Sequence, residues 1–354
     1  MQPAGTLDGT PDALSGGQEP RTTSPLGAAP VVAEVVRSGF VESVHHGVVA
    51  AVGADGGLLV AVGPVDAPVL PRSSLKPLQA VAMLRAGADL SGELLALACA
   101  SHSGEPFHLE GARRILASAG LDETALQNTP DRPIDEAERA RWVAEGLPPA
   151  SIAQNCSGKH AGMLAACVAA GWDVDTYRSV DHPLQRLTAE VVRELTGEEV
   201  GVVTVDGCGA PALGVSVAGL ARALGRIAAA DPSTPEGRVA DAMRAHPEWV
   251  GGTGRDVTDL MRGVPGLIAK DGAESVYAAG LADGRGVAVK ITDGYARARV
   301  GVTTAALRRL GAARLGPDVA AVLDGLDARA VVRGHGEPVG AVRALPLPLP
   351  ADAP

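Results

Sequence analysis

Aromatic side chains are scarce in this chain, at 2% of its 354 residues. A core without rings must be aliphatic, built from Val, Leu and Ala, and platforms for stacking nucleobases or sugars are disfavoured. A surplus of basic charge is also missing. The formal net charge is −10, which argues against a nucleic-acid or anionic-membrane surface, because those bind through clustered Lys and Arg. Nowhere do about eighteen apolar residues run uninterrupted, so no membrane-spanning helix is expected. The opening segment, rich in Gly, Pro, Thr and Ser, holds no apolar run of the length a signal peptide needs. It reads as a disordered tail over residues 1–30, ahead of a single domain over residues 31–350, in a cytoplasmic protein. Cysteine is sparse too: the four present are expected in that compartment to be reduced thiols, available as ligands, nucleophiles or core filler. What is plentiful is core material. With 46% hydrophobic and 20% charged residues the chain can bury a sizeable interior, and small polar molecules are its natural partners.

Strand chemistry sits at the two ends of the chain. Val35 to Val41, Gly47 to Val52 and Leu58 to Val62 alternate apolar with polar or small residues, and Gly53-Ala54-Asp55-Gly56-Gly57 is hairpin chemistry. Ser275 to Ala282 and Val287 to Thr292 flank Asp283-Gly284-Arg285-Gly286, and Ala330 to Val332 with Val339 to Ala344 add a final pair. Between them, apolar residues at helical spacing predict helices over Pro77 to Ala86, Gly92 to Ala100, Pro106 to Ala119, Asp135 to Glu145, Gly158 to Ala170, Pro183 to Thr196 and Ala210 to Ala223. The predicted fold class is α+β. A three-layer α/β/α arrangement follows, with an antiparallel sheet built from both chain termini (residues 31–70 and 265–345) and a central helical region over residues 71–264. Sheet edges at both termini make a homodimer the expected assembly.

Five segments carry chemistry. Ser73-Ser74-Leu75-Lys76 puts a hydroxyl and an amine three residues apart where a helix begins. A neutral lysine there can take the proton from Ser73 Oγ as it attacks a carbonyl, the pairing that the S-x-x-K motif of penicillin-binding proteins and serine β-lactamases supplies. Pro77 lacks an N–H and clashes with the carbonyl four residues back, so Ser73 is expected at the helix entrance. Gln154-Asn155-Cys156-Ser157-Gly158-Lys159-His160 opens a small-residue helix whose unpaired backbone donors lower the Cys156 thiol pKa. Asp206-Gly207-Cys208-Gly209-Ala210-Pro211 ends a strand-like run at glycines and is expected to lead into a helix. Cys156 and Cys208 lie in polar turns, whereas Cys99 and Cys167 lie in apolar helical stretches and read as core. Two thiolates with Lys159 or His160 as the nitrogen ligand can hold a zinc ion, though the spacing matches no zinc-finger signature. Lys270-Asp271-Gly272, just before a strand, is similar to the K-T-G element of penicillin-recognising enzymes and equally fits a turn ahead of a hairpin. Ala100-Ser101-His102-Ser103-Gly104-Glu105 is a polar turn between helices, and its Ser101 offers a second hydroxyl for a second lysine.

Together these segments resemble the Rhizobium-type L-asparaginases, the L-asparaginase II family, from about Val35 to Leu345. R-S-S-L-K-P, A-S-H-S-G-E, N-C-S-G-K-H-A-G-M-L and D-G-C-G-A-P occur in that family's order. The resemblance implies a fold like that of serine β-lactamases and glutaminases, and hydrolysis of the L-asparagine side-chain amide to aspartate and ammonia. It implies two Ser-Lys pairs, Ser73 with Lys76 and Ser101 with Lys270, beside a zinc ion held by Cys156, Lys159 and Cys208. Asp206 matches the family's acidic site residue, and Arg72 and His160 border the site; Ser103 and Lys290 are neighbouring candidates for the second pair. Asp206 is expected to meet the substrate's α-ammonium and Arg72 its α-carboxylate. Gln127-Asn128-Thr129-Pro130-Asp131 departs from the family's pattern. On the same residues a β-lactamase or penicillin-binding esterase, a glutaminase, a zinc-stabilised amino-acid sensor without turnover, and nucleophilic catalysis by Cys156 stand as alternatives.

Overall fold

The computed structural model describes residues 25–348. Up to residue 24 the expected tail lies outside the described residues. Residues 25–30 pack onto the domain: Pro25–Ala28 forms a 3-10 turn, Ala29 is buried, and its carbonyl lies 2.7 Å from His46 Nδ1.

Three strands open the chain: β1 (Val31–Arg37), β2 (Phe40–Val52) and β3 (Leu58–Val62). The stretch Val35 to Val41, expected as one strand, is broken by a hairpin. Ser38 and Gly39 both take positive φ, 48° and 84°, the combination a two-residue turn needs to match strand twist. Next come β4 (Pro68–Val69), β5 (Val202–Val205) and β6 (Pro211–Ser216), a small sheet in the order β4-β6-β5. The last five are β7 (Ile268–Gly272), β8 (Val276–Gly280), β9 (Gly286–Ile291), β10 (Val331–Gly334) and β11 (Glu337–Ala344). The main sheet runs β10-β11-β1-β2-β9-β8-β7 with β3 beside β2, every pairing antiparallel. Both termini therefore build it, as expected.

The helices are α1 (Lys76–Arg85), α2 (Gly92–Ala98), α3 (Pro106–Ser118), α4 (Glu136–Ala144), α5 (Ser157–Ala170), α6 (Pro183–Thr196), α7 (Val217–Ala228), α8 (Pro235–Ala245), α9 (Pro247–Val250), α10 (Asp256–Gly263), α11 (Arg299–Arg309) and α12 (Pro317–Asp327). Local signals set their limits. Proline opens α3, α6, α8, α9 and α12, where a missing N–H costs nothing, and α5 and α6 stop at left-handed Gly171 and Gly197. The expected helix from Ala210 is a correction: Pro211–Ser216 is a strand, and the helix starts only at Ser216, whose Oγ accepts from Gly219 N at 2.8 Å. Tertiary pairing decides this. Val203 stands opposite Leu213, and a Cβ on Gly214 would come within 2.9 Å of Val202, so β6 fits between its neighbours only with glycine there. Helices α8 to α12 and strands β4 and β7 lie beyond the periodicity reading.

Two helices cover the two faces of the sheet. Gly280 and Gly286 pair with each other, and a Cβ on either would overlap a backbone carbonyl of α7, Leu224 O or Ala221 O; this close approach is why small residues stand there. Every residue of β8 and β9 is buried, and α11 covers the opposite face, where its Arg299 reaches Asp271 and lies over the Tyr277 ring. The three-layer expectation holds. Leu78, Met83, Leu97, Leu164, Leu220, Leu224 and Ile227 are wholly buried, each contributing roughly 1.5–3 kcal/mol of apolar burial.

Candidate active site

The sequence-predicted residues converge where the first turn of the helical region meets the end of β7. Arg72–Leu75 is a 3-10 turn leading into α1, with Lys76 N bonded to Ser73 O. Ser73 thus stands one tight turn before the α-helix, and on a 3-10 turn residues i and i+3 eclipse, which keeps Ser73 and Lys76 on one side. A Cβ on Gly272 would overlap Pro71 O and lie 3.0 Å from Ser74 Oγ, and Ser74 Oγ donates to Lys270 O at 3.1 Å. The edge strand carrying Lys270 therefore abuts the Ser73 turn. Lys270 lies within β7 rather than ahead of a strand.

The lysine contacts differ from the motif pairings. Lys76 Nζ, 1% exposed, donates to Ala100 O, to Ser101 Oγ at 3.2 Å and to Cys156 Sγ at 3.1 Å. The lysine of the first motif thus touches the serine assigned to the second, while among the described residues Ser73 Oγ, half-buried, has no hydrogen-bond partner. Lys270 Nζ instead donates to Asp271 O at 2.7 Å and Asp271 Oδ1 at 2.6 Å. Asp271 also meets Arg255 at 2.8 Å and Arg299 at 3.3 Å. Burial works against the Asp271 charge, but Lys270, Arg255 and Arg299 hold the carboxyl well below its usual range. For Lys270 burial wins: with the charges of Lys76 and Arg255 it outweighs Asp271 and lowers the amine to about 8. Ser103 is engaged elsewhere, donating to Gly251 O at 3.1 Å and Glu105 Oε1 at 3.1 Å.

The two cysteine turns meet. Cys156 caps the start of α5, and Cys208 lies in the turn between β5 and β6, not at a helix start as expected. Both are buried in one small cluster with Ala210. Lys159 Nζ donates to Cys208 Sγ at 3.1 Å, whereas His160 Nδ1 turns to the Tyr177 hydroxyl at 2.7 Å. Of the two nitrogen candidates, Lys159 is the one that faces the thiols. The hydrogen bond with Cys208, followed by the charges of Lys76 and Lys159, outweighs burial and holds the Cys156 thiol well below its ordinary value. Cys208 is pushed up in turn, since the pair shares a proton. Lys159 stays protonated despite burial because Cys208, Cys156 and Asp206 surround it. Asp206 Oδ1 accepts from Arg72 Nε at 2.6 Å and from Gly207 N at 2.7 Å. That ion pair anchors Arg72, which holds a left-handed φ of 54°, strain a bulky residue keeps only where its surroundings dictate it.

The sequence profile of the L-asparaginase II family matches residues 33–344. The chain belongs to the L-asparaginase II family. It is similar to the structure of a β-lactamase from Mycobacterium bovis, at 15% identity over 86% of this chain and 97% of that chain with a TM-score of 0.42. It is also similar to Mglu in its native form in the presence of 4.3 M NaCl, at 16% identity over 81% of this chain and 66% of that chain with a TM-score of 0.41. EstCE1, a hydrolase with promiscuous acyltransferase activity, matches at 12% identity over 71% of this chain and 90% of that chain with a TM-score of 0.37. These are distant likenesses, and membership of the family does not rest on them. No curated protein gives a significant match. The family is one of asparaginase-like amidohydrolases, and among the described residues no helix is long and apolar enough to cross a membrane.

In this L-asparaginase II family chain, three groups escaped the sequence reading. Asp271 was legible only as half of an Asp-Gly turn, though its place beside Lys270 was a signal for a counter-ion. Gln154 Oε1 accepts from Cys156 N at 3.0 Å and from Asn128 Nδ2 at 2.9 Å, tying the Cys156 turn to the atypical loop. That loop also reaches the Cys208 turn, through Thr129 Oγ1 on Gly207 O at 2.9 Å. His102, neutral because burial lowers it well below its ordinary value, links its turn to α5 through Ser157 Oγ at 2.8 Å. Among the described residues no three His, Cys, Asp or Glu side chains cluster as a metal site; the candidate set has two thiols and an amine. Its chemistry fits zinc, since two adjoining sulfurs and a buried nitrogen leave one tetrahedral position open once Lys159 gives up its proton.

Proposed function

We propose that the protein is an L-asparaginase, hydrolysing the side-chain amide of free L-asparagine to L-aspartate and ammonia. The observation that carries this reading is the placement of Lys76: a fully buried amine on Ser101 Oγ and Cys156 Sγ, eclipsed with half-buried Ser73, in a chain of the L-asparaginase II family.

Ser73 Oγ attacks the amide carbon while Lys76, in its neutral form, accepts the hydroxyl proton. The tetrahedral carbon collapses, the C–N bond breaks, and the proton on Lys76 passes to the leaving nitrogen as ammonia. Water then adds to the β-aspartyl ester, giving its proton to the same amine, and Ser73 leaves with that proton. Ser101 orients Lys76 and relays protons. Lys270 supplies a positive charge near Lys76 when it is protonated itself. Asp206 meets the α-ammonium, held in place by Arg72. Zinc would be held by Cys156, Lys159 and Cys208, where it supplies Lewis acidity and ties α5 to the β5–β6 turn. With this reading we keep a cytoplasmic homodimer without nucleic-acid partners, supported by the net charge of −10 and by the exposed edge strand β5.

The test is ammonia release from L-asparagine, with L-glutamine in parallel, by wild type, Ser73→Ala and Ser101→Ala. Ser73→Ala should lower kcat by about a thousandfold or more, and Ser101→Ala by about ten- to a hundredfold. Loss in Ser101→Ala with retention in Ser73→Ala would make Ser101 the nucleophile. No release by zinc-loaded wild type would overturn the assignment.

A further inference from the structure

The chain has four lysines, and all four are buried: Lys76, Lys159 and Lys270 at 1% exposure or less, and Lys290 at 7%. Lys76, Lys159 and Lys270 meet Ser101, Cys208 and Asp271 respectively. Lys290 is unexplained. Among the described residues its Nζ has one polar partner, the carbonyl of Glu274, and no carboxylate within ion-pair distance, an expensive arrangement for a buried cation unless something else meets it.

Register shows where it points. Lys270 pairs with Ala278 and Ala278 with Ala288, while Val276 pairs with Lys290; cross-strand partners share a face, so Lys290 stands on the same face as Lys270 and one pleat further along. Gly272, also on that face, meets Pro71 and Ser74. The Lys290 side chain thus approaches the Arg72–Ser73 turn, and with Arg72, Val69, Leu70, Val202 and Glu274 it lines a cavity of about 340 Å³. Arg72, the cation expected for a substrate carboxylate, is engaged by Asp206 at 2.6 Å. Of the two cations lining the cavity, Lys290 is the one with no carboxylate within ion-pair distance among the described residues, although Glu274 and Asp293 lie near enough to act on its charge.

We infer that this cavity is a carboxylate subsite in which Lys290 binds the α-carboxylate of the amino-acid amide substrate; the inference rests on the amidohydrolase reading. Arg72 and Asp206 then form a fixed pair that presents Asp206 to the α-ammonium, and Lys290 supplies the opposite charge across the cavity. Buried Val69 and half-buried Leu70 give that contact an aliphatic wall on one side. A lysine that only tied down the β7–β8 turn would need no open space beside Arg72.

The experiment compares wild type, Lys290→Met and Lys290→Arg by L-aspartate binding in calorimetry, by steady-state ammonia release from L-asparagine and from 3-aminopropanamide (asparagine without its α-carboxylate), and by melting temperature. Lys290→Met should weaken L-aspartate binding and raise the KM for L-asparagine by about tenfold or more with kcat changed less than about threefold, and Lys290→Arg should recover most of the loss. KM for 3-aminopropanamide should be indifferent to the substitution. Equal aspartate binding in wild type and Lys290→Met, an equal loss for both amides, or no aspartate binding by wild type would overturn the subsite. If wild type releases no ammonia while aspartate binding still falls in Lys290→Met, the subsite stands and the hydrolase reading fails.

Discussion

Replacing Asp271 by asparagine keeps the shape of the side chain and deletes the carboxylate that, alone among the described residues, contacts Lys270. Lys270 Nζ and Asp271 Oδ1 lie 2.6 Å apart, and at an effective dielectric constant of about 20 two unit charges at that distance attract by roughly 6 kcal/mol. At about 1.4 kcal/mol per pKa unit this is roughly four units, of which the asparagine dipole and local relaxation recover part; a fall of at least about two units is the expected outcome. Wild-type Lys270 titrates at about 8 and acts as a cation, so an alkaline limb of kcat/KM that reports its loss of charge should move from there to about pH 6 or below. The stability effect has a definite sign. An unfolded lysine titrates near ~10.4 and the folded one near about 8, so between those values the unfolded state binds more protons and stability climbs with pH. Asp271→Asn extends that window towards acid. It also strips Arg255 and Arg299 of a shared partner, for a loss of about 3–5 kcal/mol, which in a chain of this length lowers Tm by roughly 4–7 °C. The assays are a pH profile of ammonia release and a calorimetric melt. An alkaline limb that stays within about half a unit of wild type, or moves upward, would refute the role given to this network.

Metal content tests the proposed zinc site: wild type should bind zinc, and Cys156→Ala and Cys208→Ala should each retain less than about a tenth of it. Metal analysis of purified variants checks this, and unchanged zinc in both would remove these residues from the ligand set. Gly252→Ala perturbs the Ser101 turn from behind. Gly252 holds φ 127° and a Cβ there would overlap Ser103 Oγ, so the substitution should cost about 2–4 kcal/mol and lower Tm by roughly 3–5 °C. An unchanged melting temperature would show that the turn yields freely.

Much of the candidate site could be read from short-range chemistry. Hydroxyl, thiol and amine residues in Ser73–Lys76, Ser101–Glu105, Cys156–His160 and Asp206–Cys208 sit in turns whose glycines, prolines and caps are local signals, and the structure brings those turns together. Helix limits such as Pro183–Thr196 were legible for the same reason, since proline and glycine act within one or two residues. The hairpin at Ser38-Gly39 escaped because serine in a left-handed conformation is rare.

What the sequence by itself determined is which chemical groups are present and where backbone turns, caps and apolar periodicity place them along the chain. Only the tertiary structure decided their partners. Lys76 meets Ser101 and Cys156 because α2 and α5 pack beside α1, and Lys270 meets a cluster of Asp271, Arg255 and Arg299 gathered from β7, α10 and α11. Pro211–Ser216 is a strand because β4 and β5 offer it backbone partners, a pull that outweighs its local helical spacing. The physical reason is range: turn and capping preferences act over a few residues, whereas pairing and burial of charge depend on groups far apart in the chain, and only the folded chain sets those distances.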